Sequence, residues 1–502
     1  MHNAGVETAA DASGGLIRIY SDTMTTTRLV LPALAALLAA GCAVTPPDTD
    51  KLARDVTPSA WSAGVETGEI ESFRDFWTRW NDPVLVALIE RAQAANTDVL
   101  GAEANLRAAR ASLTRANAAL WPTAELNAGT NRHRANGRTT TGYDAGLSGS
   151  WTLNLAGSRY FSASAEEASV RAYELTLADV REMVAAETAQ AYVNMRAAEA
   201  SLEITRRSIA NYAETAKTAD WQYRAGMGSA SEAEDALTQL ASARARVPQL
   251  EASIEQYKNA LARLTAQPVD ALDFGASGAI PVPPDGARVM MPAELLERRP
   301  DVRSALRSLE GAVLTLKSAK SDWFPTLGLT GNIGTDAATV GALGASGTGV
   351  AGLAAALTLP VLNWGSLVAA EETAAAELDR QRANYVSVLL SALENTQNAL
   401  TGIESSQRRA RDLSLAVEHA RSAATLAKLE YNAGIGDYTM VLSTERTLLG
   451  AEDTELSNRA ERANNYIMLY RAVGGGWAVG EAEREKSAAQ RASDDVTESK
   501  KE

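Results

Sequence analysis

The chain has 502 residues and a formal charge of −14, with 46% apolar residues, only 5% aromatic residues and a single cysteine. An acidic balance disfavours nucleic acid as a partner, and a lone cysteine excludes an internal disulfide framework or a cysteine-rich zinc site. His2, His133 and His419 are too far apart to suggest a metal or catalytic spacing, and no P-loop, dinucleotide fingerprint or nucleophile elbow is present, so neither an enzyme nor a cofactor site is expected.

The first readable segment is TTTRLVLPALAALLAAGC, in which Arg28 precedes an apolar run from Leu29 to Ala40. That run is too short to span a bilayer and fits a signal-peptide core, so residues 24–41 are read as a signal. Residues 1–23 are expected to lie upstream of a true start at Met24. Small residues before Cys42 resemble the bacterial lipobox, although Ala39 stands where leucine is usual. That resemblance implies a covalent lipid on Cys42, which becomes the mature N-terminus. No other stretch reaches ~18 consecutive apolar residues, so no transmembrane helix is expected.

Beyond the signal, long segments rich in Ala, Glu, Arg, Gln and Leu predict helices over 83–121, 158–226, 229–265 and 364–433. Shorter helices are predicted near 301–323 and 437–473, and Pro248 should kink or distort the third long helix. At ~1.5 Å per residue the two longest would each reach about 100 Å, so they must lie side by side as coiled coils or tubes.

Between the helices the apolar period switches to two. YDAGLSGSWTLNL alternates Tyr143, Ala145, Leu147, Trp151, Leu153 and Leu155 with Asp144, Ser148, Ser150, Thr152 and Asn154; TLGLTGNI sets Leu327, Leu329 and Ile333 against Thr326, Thr330 and Asn332. Two hairpins are read, over about 123–155 and 326–359, closed by loops at Arg132–Gly142 and Gly334–Gly349. Pro122 and Pro325 mark the helix-to-strand joints. Alternation of this kind fits a membrane barrel or an ordinary sheet with one buried face. Four strands cannot close a barrel and lipid does not tolerate open edges, so subunits would have to pool strands. An open pore needs ~12, which three chains supply.

The chain also repeats itself. YRAGMG at Tyr223 returns as YNAGIG at Tyr431, and 431 − 223 = 208. LWPTAELNAGTN pairs with WFPTLGLTGN, and Glu187 pairs with Glu394, 394 − 187 = 207 residues on. A period this long is a duplicated half-molecule, not a solenoid. The first repeat is assigned to 42–270 and the second to 292–477, with a Pro/Gly-rich linker at 271–291. Residues 478–502 form a charged tail too poor in apolar residues to pack.

Taken in order, FWTRWNDPVLVALIERA, LLERRPDVRSAL, WFPTLGL and the paired Tyr-x-Ala-Gly turns resemble the TolC-type outer-membrane efflux channels, in their lipoprotein branch (NodT-like or OprM-like). The resemblance implies a mainly α fold with a membrane β-barrel part: a duplicated helix–hairpin–helix half, trimeric, with a 12-stranded barrel continuing into a 12-helix periplasmic tunnel. It implies a homotrimer in the outer membrane of a Gram-negative bacterium, joined through a periplasmic adaptor to an inner-membrane pump of the RND type. The function expected is a passive exit duct for drugs, metals or other solutes. The exit channel of a type I protein secretion system and a lipid-anchored coiled-coil structural protein are the alternatives. The two turns would be the hairpin tips of the coiled coils, with Gly226 and Gly434 supplying positive φ and Gly228 and Gly436 tightening the reversal. Asp437, Tyr431 and Glu232 are the candidates for a periplasmic gate, with a Tyr431–Glu232 tie conceivable between the two coils.

Overall fold

The computed structural model describes residues 44–61, 76–276, 278–283, 292, 296 and 298–475. The signal at 24–41, Cys42, the linker residues 284–291 and the tail 478–502 lie outside the described residues. In chain order the elements are α1 (Thr49–Val56), α2 (Pro83–Ala95), α3 (Thr97–Ala118), β1 (Thr123–Ala135), β2 (Arg138–Asn154), α4 (Ser158–Arg224), α5 (Ala230–Thr265), α6 (Pro300–Ser321), β3 (Thr326–Ala337), β4 (Gly349–Thr358), α7 (Trp364–Asn432) and α8 (Tyr438–Ala472). They fall into two compact units, one built on residues 109–170 and 307–383, the other on 48–108, 171–306 and from 384 onwards.

The first unit carries one antiparallel sheet in the order β1-β2-β3-β4, a simple meander. Its central pairing, β2 with β3, joins the hairpin of the first repeat to that of the second, from Asn154 opposite Thr326 to Tyr143 opposite Ala337. The first hairpin spans the residues expected, but its ladder is longer and its loop shorter than the sequence suggested. Instead of a loop from Arg132 to Gly142, the ladder runs on to Ala135 opposite Arg138. It reverses at Asn136 and Gly137, whose φ angles are 51° and 77°. Both central residues of a two-residue turn then have positive φ, which Asn-Gly accommodates better than other pairs. At the base of the sheet the indole of Trp151 donates to the Leu120 carbonyl at 2.9 Å, and the indole of Trp323 to Glu371 Oε2 at 3.1 Å.

The second unit is helical. Asp82 opens α2 as its N-cap, accepting from the backbone of Val84 and Leu85, with Pro83 in the first turn. The helix predicted over 83–121 is two helices, because Asn96 is extended. Its side chain accepts from the Asp98 amide at 2.8 Å, which starts α3, and donates to the Leu264 carbonyl at 2.9 Å. An asparagine that caps one helix and is held from α5 offers the backbone more than helix continuation does. Pro248, by contrast, lies inside α5 without ending it.

The core of this unit is built on Tyr192, Val193 and Met195 of α4, Leu400 and Ile403 of α7, and Ala463, Tyr466, Ile467 and Tyr470 of α8. Alanine at many of the contact positions lets helices approach closely, and each large side chain fully buried among them contributes ~1.5–3 kcal/mol. The FWTRW segment is seated here by its aromatic rings: Phe76 stacks on Tyr470 at 4.7 Å, and Trp77 meets the same ring at 4.7 Å. Arg196 fastens the chain that follows α5, donating to the carbonyls of Phe274 and Ala276 at 2.5 and 3.0 Å.

Candidate functional site

Paired residues in an antiparallel ladder share a face, so the register assigns every side chain of the sheet. One face carries rows such as Leu126–Leu147–Ile333–Ala351, Trp151–Leu329–Ala355 and Leu153–Leu327–Leu357. The other carries Thr123–Ser150–Thr330, Glu125–Ser148–Asn332 and the pair Asp144–Asp336. Its hydroxyls and amides bond across strands, Asn127 to Ser148 at 2.6 Å and Thr123 with Ser150 at 2.9 Å. The apolar face is uncovered in the single chain: Leu126 is 85% and Leu353 89% exposed. That separates it from an ordinary sheet, whose apolar face lies on a core. Strands β1 and β4 are exposed along their whole lengths, and among the described residues nothing pairs with their outer edges.

The two inter-helix turns of the second unit match bond for bond. After α4 the amides of Gly226 and Met227 reach back to the carbonyls of Tyr223 and Gln222 at 3.0 and 2.8 Å; after α7 those of Gly434 and Ile435 reach Tyr431 and Glu430, both at 3.0 Å. Gly226 and Gly434 have φ of 73° and 75°, the left-handed geometry in which a helix ends by this double bond. The turns diverge at the next helix. Ser229 and Glu232 form a reciprocal capping box on α5, with Glu232 Oε2 accepting from the Ser229 amide at 2.9 Å. Asp437 caps α8 alone, accepting from the Thr439 amide at 2.9 Å.

Among the gate candidates, Tyr431 makes a tie between the coils, but its hydroxyl donates to Gln222 Oε1 on α4 and not to Glu232, whose carboxylate is engaged in the capping box. Burial, and then the negative charge of Glu232, push the Tyr431 phenol upward, so it stays a hydrogen-bond donor at neutral pH. Its ring lies 5.4 Å from that of Tyr438, which is buried and whose hydroxyl has no hydrogen-bond partner among the described residues. Gln222 escaped the sequence reading, although its offset of 430 − 222 = 208 from Glu430 is that of the repeat. Among the described residues no cluster of His, Cys, Asp and Glu is placed to hold a metal ion, and no helix is long and apolar enough to cross a membrane.

Comparison with known proteins agrees with this geometry. The family model described as outer membrane efflux protein matches residues 88–267 and 291–475. The pyoverdine export outer membrane protein OpmQ of Pseudomonas aeruginosa is 29% identical over 463 residues, covering 88% of this chain and 96% of its own. The probable outer membrane lipoprotein SilC of Salmonella typhimurium is 26% identical over 430 residues, covering 82% and 90%. The solved structure of the outer-membrane channel OprN superposes with a TM-score of 0.79 at 28% identity, over 87% of this chain and 99% of that one. A duplicated helical chain with one uncovered strand meander, matched in both halves, belongs to the outer membrane efflux protein family.

Proposed function

We propose that three copies of this outer-membrane efflux protein pool their sheets into a 12-stranded barrel and act as the passive exit duct of a tripartite efflux system. The observation that carries the reading is the meander itself: one uncovered apolar face, one polar face and two open edges. In lipid an open edge is excluded, and joining β1 of one copy to β4 of the next satisfies both edges at once. The apolar face then meets lipid and the polar face lines a water-filled lumen. Exposed Trp121, Trp364 and Leu362 flank the helical end of the sheet, where an aromatic and apolar belt suits the periplasmic interface.

A passive duct needs an energy source elsewhere, so a periplasmic adaptor and an inner-membrane pump of the RND type are the partners proposed. The named cargoes of the relatives, such as pyoverdine, are small organic molecules, and solutes of that size are the class proposed here. Cys42 is proposed to carry a covalent lipid, a reading supported by the lipoprotein name of SilC. A mature mass equal to an unmodified chain would remove that part.

Single-channel recording of the purified protein in planar bilayers tests the central claim. Stable conductance from a particle containing three chains is expected. A monomer that conducts nothing would favour the anchored coiled-coil alternative.

A further inference from the structure

We propose that the tip of the first hairpin is a binding site for the phosphate groups of outer-leaflet lipopolysaccharide, made by Arg132 and Arg134. The inference rests on the channel reading above for which face meets lipid and which end points outward. The sequence RHRANGR sets three arginines and a histidine within a stretch, residues 126–143, that contains no acidic residue, in a chain whose charge is −14. Beyond Tyr143 opposite Ala337 the β2–β3 pairing stops, and β1 and β2 continue alone as a two-stranded ribbon. The helices join the sheet at its other end, so in the proposed orientation the ribbon stands on the outer side.

Register decides which face the charges occupy. Arg132 is opposite Thr141 and Arg134 opposite Thr139, and both rows continue the face of Leu126, Ala128 and Thr130. This is the lipid-facing side. His133 and Arg138 lie on the lumen side with Thr140. Arg132 and Arg134 are exposed.

Height agrees. From Leu153 to Tyr143 the apolar face spans ten residues, which at ~3.3 Å each and a strand tilt of ~40° is about 25 Å, the height of a barrel's apolar band. Arg132 and Arg134 sit two and four residues further out, about 5 and 10 Å above that boundary, where headgroup phosphates lie. Two guanidiniums on alternate residues, with a threonine hydroxyl opposite each, offer forked donors to phosphate oxygens. A charge of this sign outside the hydrocarbon costs nothing in lipid exposure and gains an anionic partner.

The test uses the full-length trimer in detergent, titrated with a deep-rough lipopolysaccharide of defined mass and followed by native mass spectrometry. At about fivefold per arginine near an anionic surface, Arg132→Ala with Arg134→Ala should weaken binding about thirtyfold. Arg138→Ala should stay within about twofold, because that side chain faces the lumen. Enzymatically dephosphorylated lipopolysaccharide should bind the unaltered protein as weakly as the intact lipid binds the double variant, and inorganic phosphate should not compete. Where the alanine pair fails to assemble, Arg132→Gln with Arg134→Gln keeps long polar side chains without the charge and should lose binding to the same extent; full binding by that pair also overturns the inference. Equal binding by the double alanine variant overturns the inference. An equal loss in Arg138→Ala does so too, since it would mean diffuse attraction, and competition by inorganic phosphate would replace the lipid with a free-anion site. Conductance recorded alongside separates the two readings: a protein that conducts but binds no lipid loses only this inference, and one that does not conduct loses the channel as well.

Discussion

Ile333→Arg should prevent assembly while Leu153→Arg is tolerated, and the register supplies the reason. With Leu153 and Tyr143 as the ends of the apolar face, the midpoint falls at residue 148 of β2, so Leu147 and its partner Ile333 lie nearest the bilayer centre. Leu329, opposite Trp151, is three residues from that midpoint, about 8 Å along the membrane normal after tilting. Leu153 is five residues away, about 13 Å, and so near the interface. Arginine on a barrel's lipid face costs ~2–4 kcal/mol at the midplane and ~0–1 near the interface. Three copies of Ile333→Arg therefore lose ~6–12 kcal/mol per trimer, Leu329→Arg an intermediate amount and Leu153→Arg less than ~3. Ser148→Arg, beside Leu147 but on the opposite face, carries none of this lipid penalty and should instead alter conductance. Reversible unfolding from phospholipid vesicles by urea measures each loss. A flat profile across the three lipid-face sites, or damage from Ser148→Arg equal to that from Ile333→Arg, would refute the assignment of faces.

The two turn glycines Gly228 and Gly436 look equivalent in sequence but not in space. A methyl on Gly436 would lie 2.8 Å from the Tyr431 amide nitrogen, whereas the nearest atoms to one on Gly228 are side-chain atoms of Gln222 and Glu232, both 3.3 Å away. Gly436→Ala is thus expected to speed amide exchange across its turn by about tenfold or more, and Gly228→Ala by less than about threefold; equal effects would contradict the geometry. If the tips hold a closed resting state, Asp437→Ala with Tyr431→Phe should raise passive conductance and weaken cation preference in planar bilayers. Unchanged traces would leave Asp437 a helix cap, worth ~1 kcal/mol locally. Burial, and then the neighbouring Asp179, hold the Glu182 carboxyl well above its ordinary range, and among the described residues its Oε1 has no hydrogen-bond partner. A raised value favours the folded state below the ordinary glutamate range and withdraws that support as pH climbs through the raised value. Glu182→Gln should therefore raise the thermal midpoint at neutral pH and flatten its decline from acid to neutral; parallel pH profiles would count against it.

Much of this architecture was legible because its periodicities are long. α4 declares itself through many turns without Gly or Pro, and α7 through many turns interrupted only by Gly365 and Gly402, while the alternation in YDAGLSGSWTLNL and TLGLTGNI marks both strands and faces. Errors gathered where a short polar residue has two uses. Asn96 lies within a helical pattern over 83–121, yet NTD becomes a cap once its side chain has a partner in α5. In RANGR the polar composition suggests a loop, whereas Asn-Gly makes a two-residue turn that extends the ladder by several pairs. At the tips the repeat gave the glycines, but the tie from Tyr431 to Gln222 depends on how two coils are phased around each other, which no local pattern encodes.

The cross-repeat pairing of β2 with β3 also sets the order of biogenesis. Asn154 meets Thr326 and Tyr143 meets Ala337, separations of 326 − 154 = 172 and 337 − 143 = 194 residues. A chain exported amino-terminus first presents β1 and β2 to the periplasm while the strand that covers β2 is still crossing the inner membrane. Through that interval a hairpin with one apolar face and two bare edges is a template for aggregation, and contacts this distant in sequence form late. Any factor that masks those strand edges until the second half arrives would lower that risk. For the same reason the ancient doubling does not leave two separable proteins: the amino-terminal half alone ends in an edge that only its twin can close.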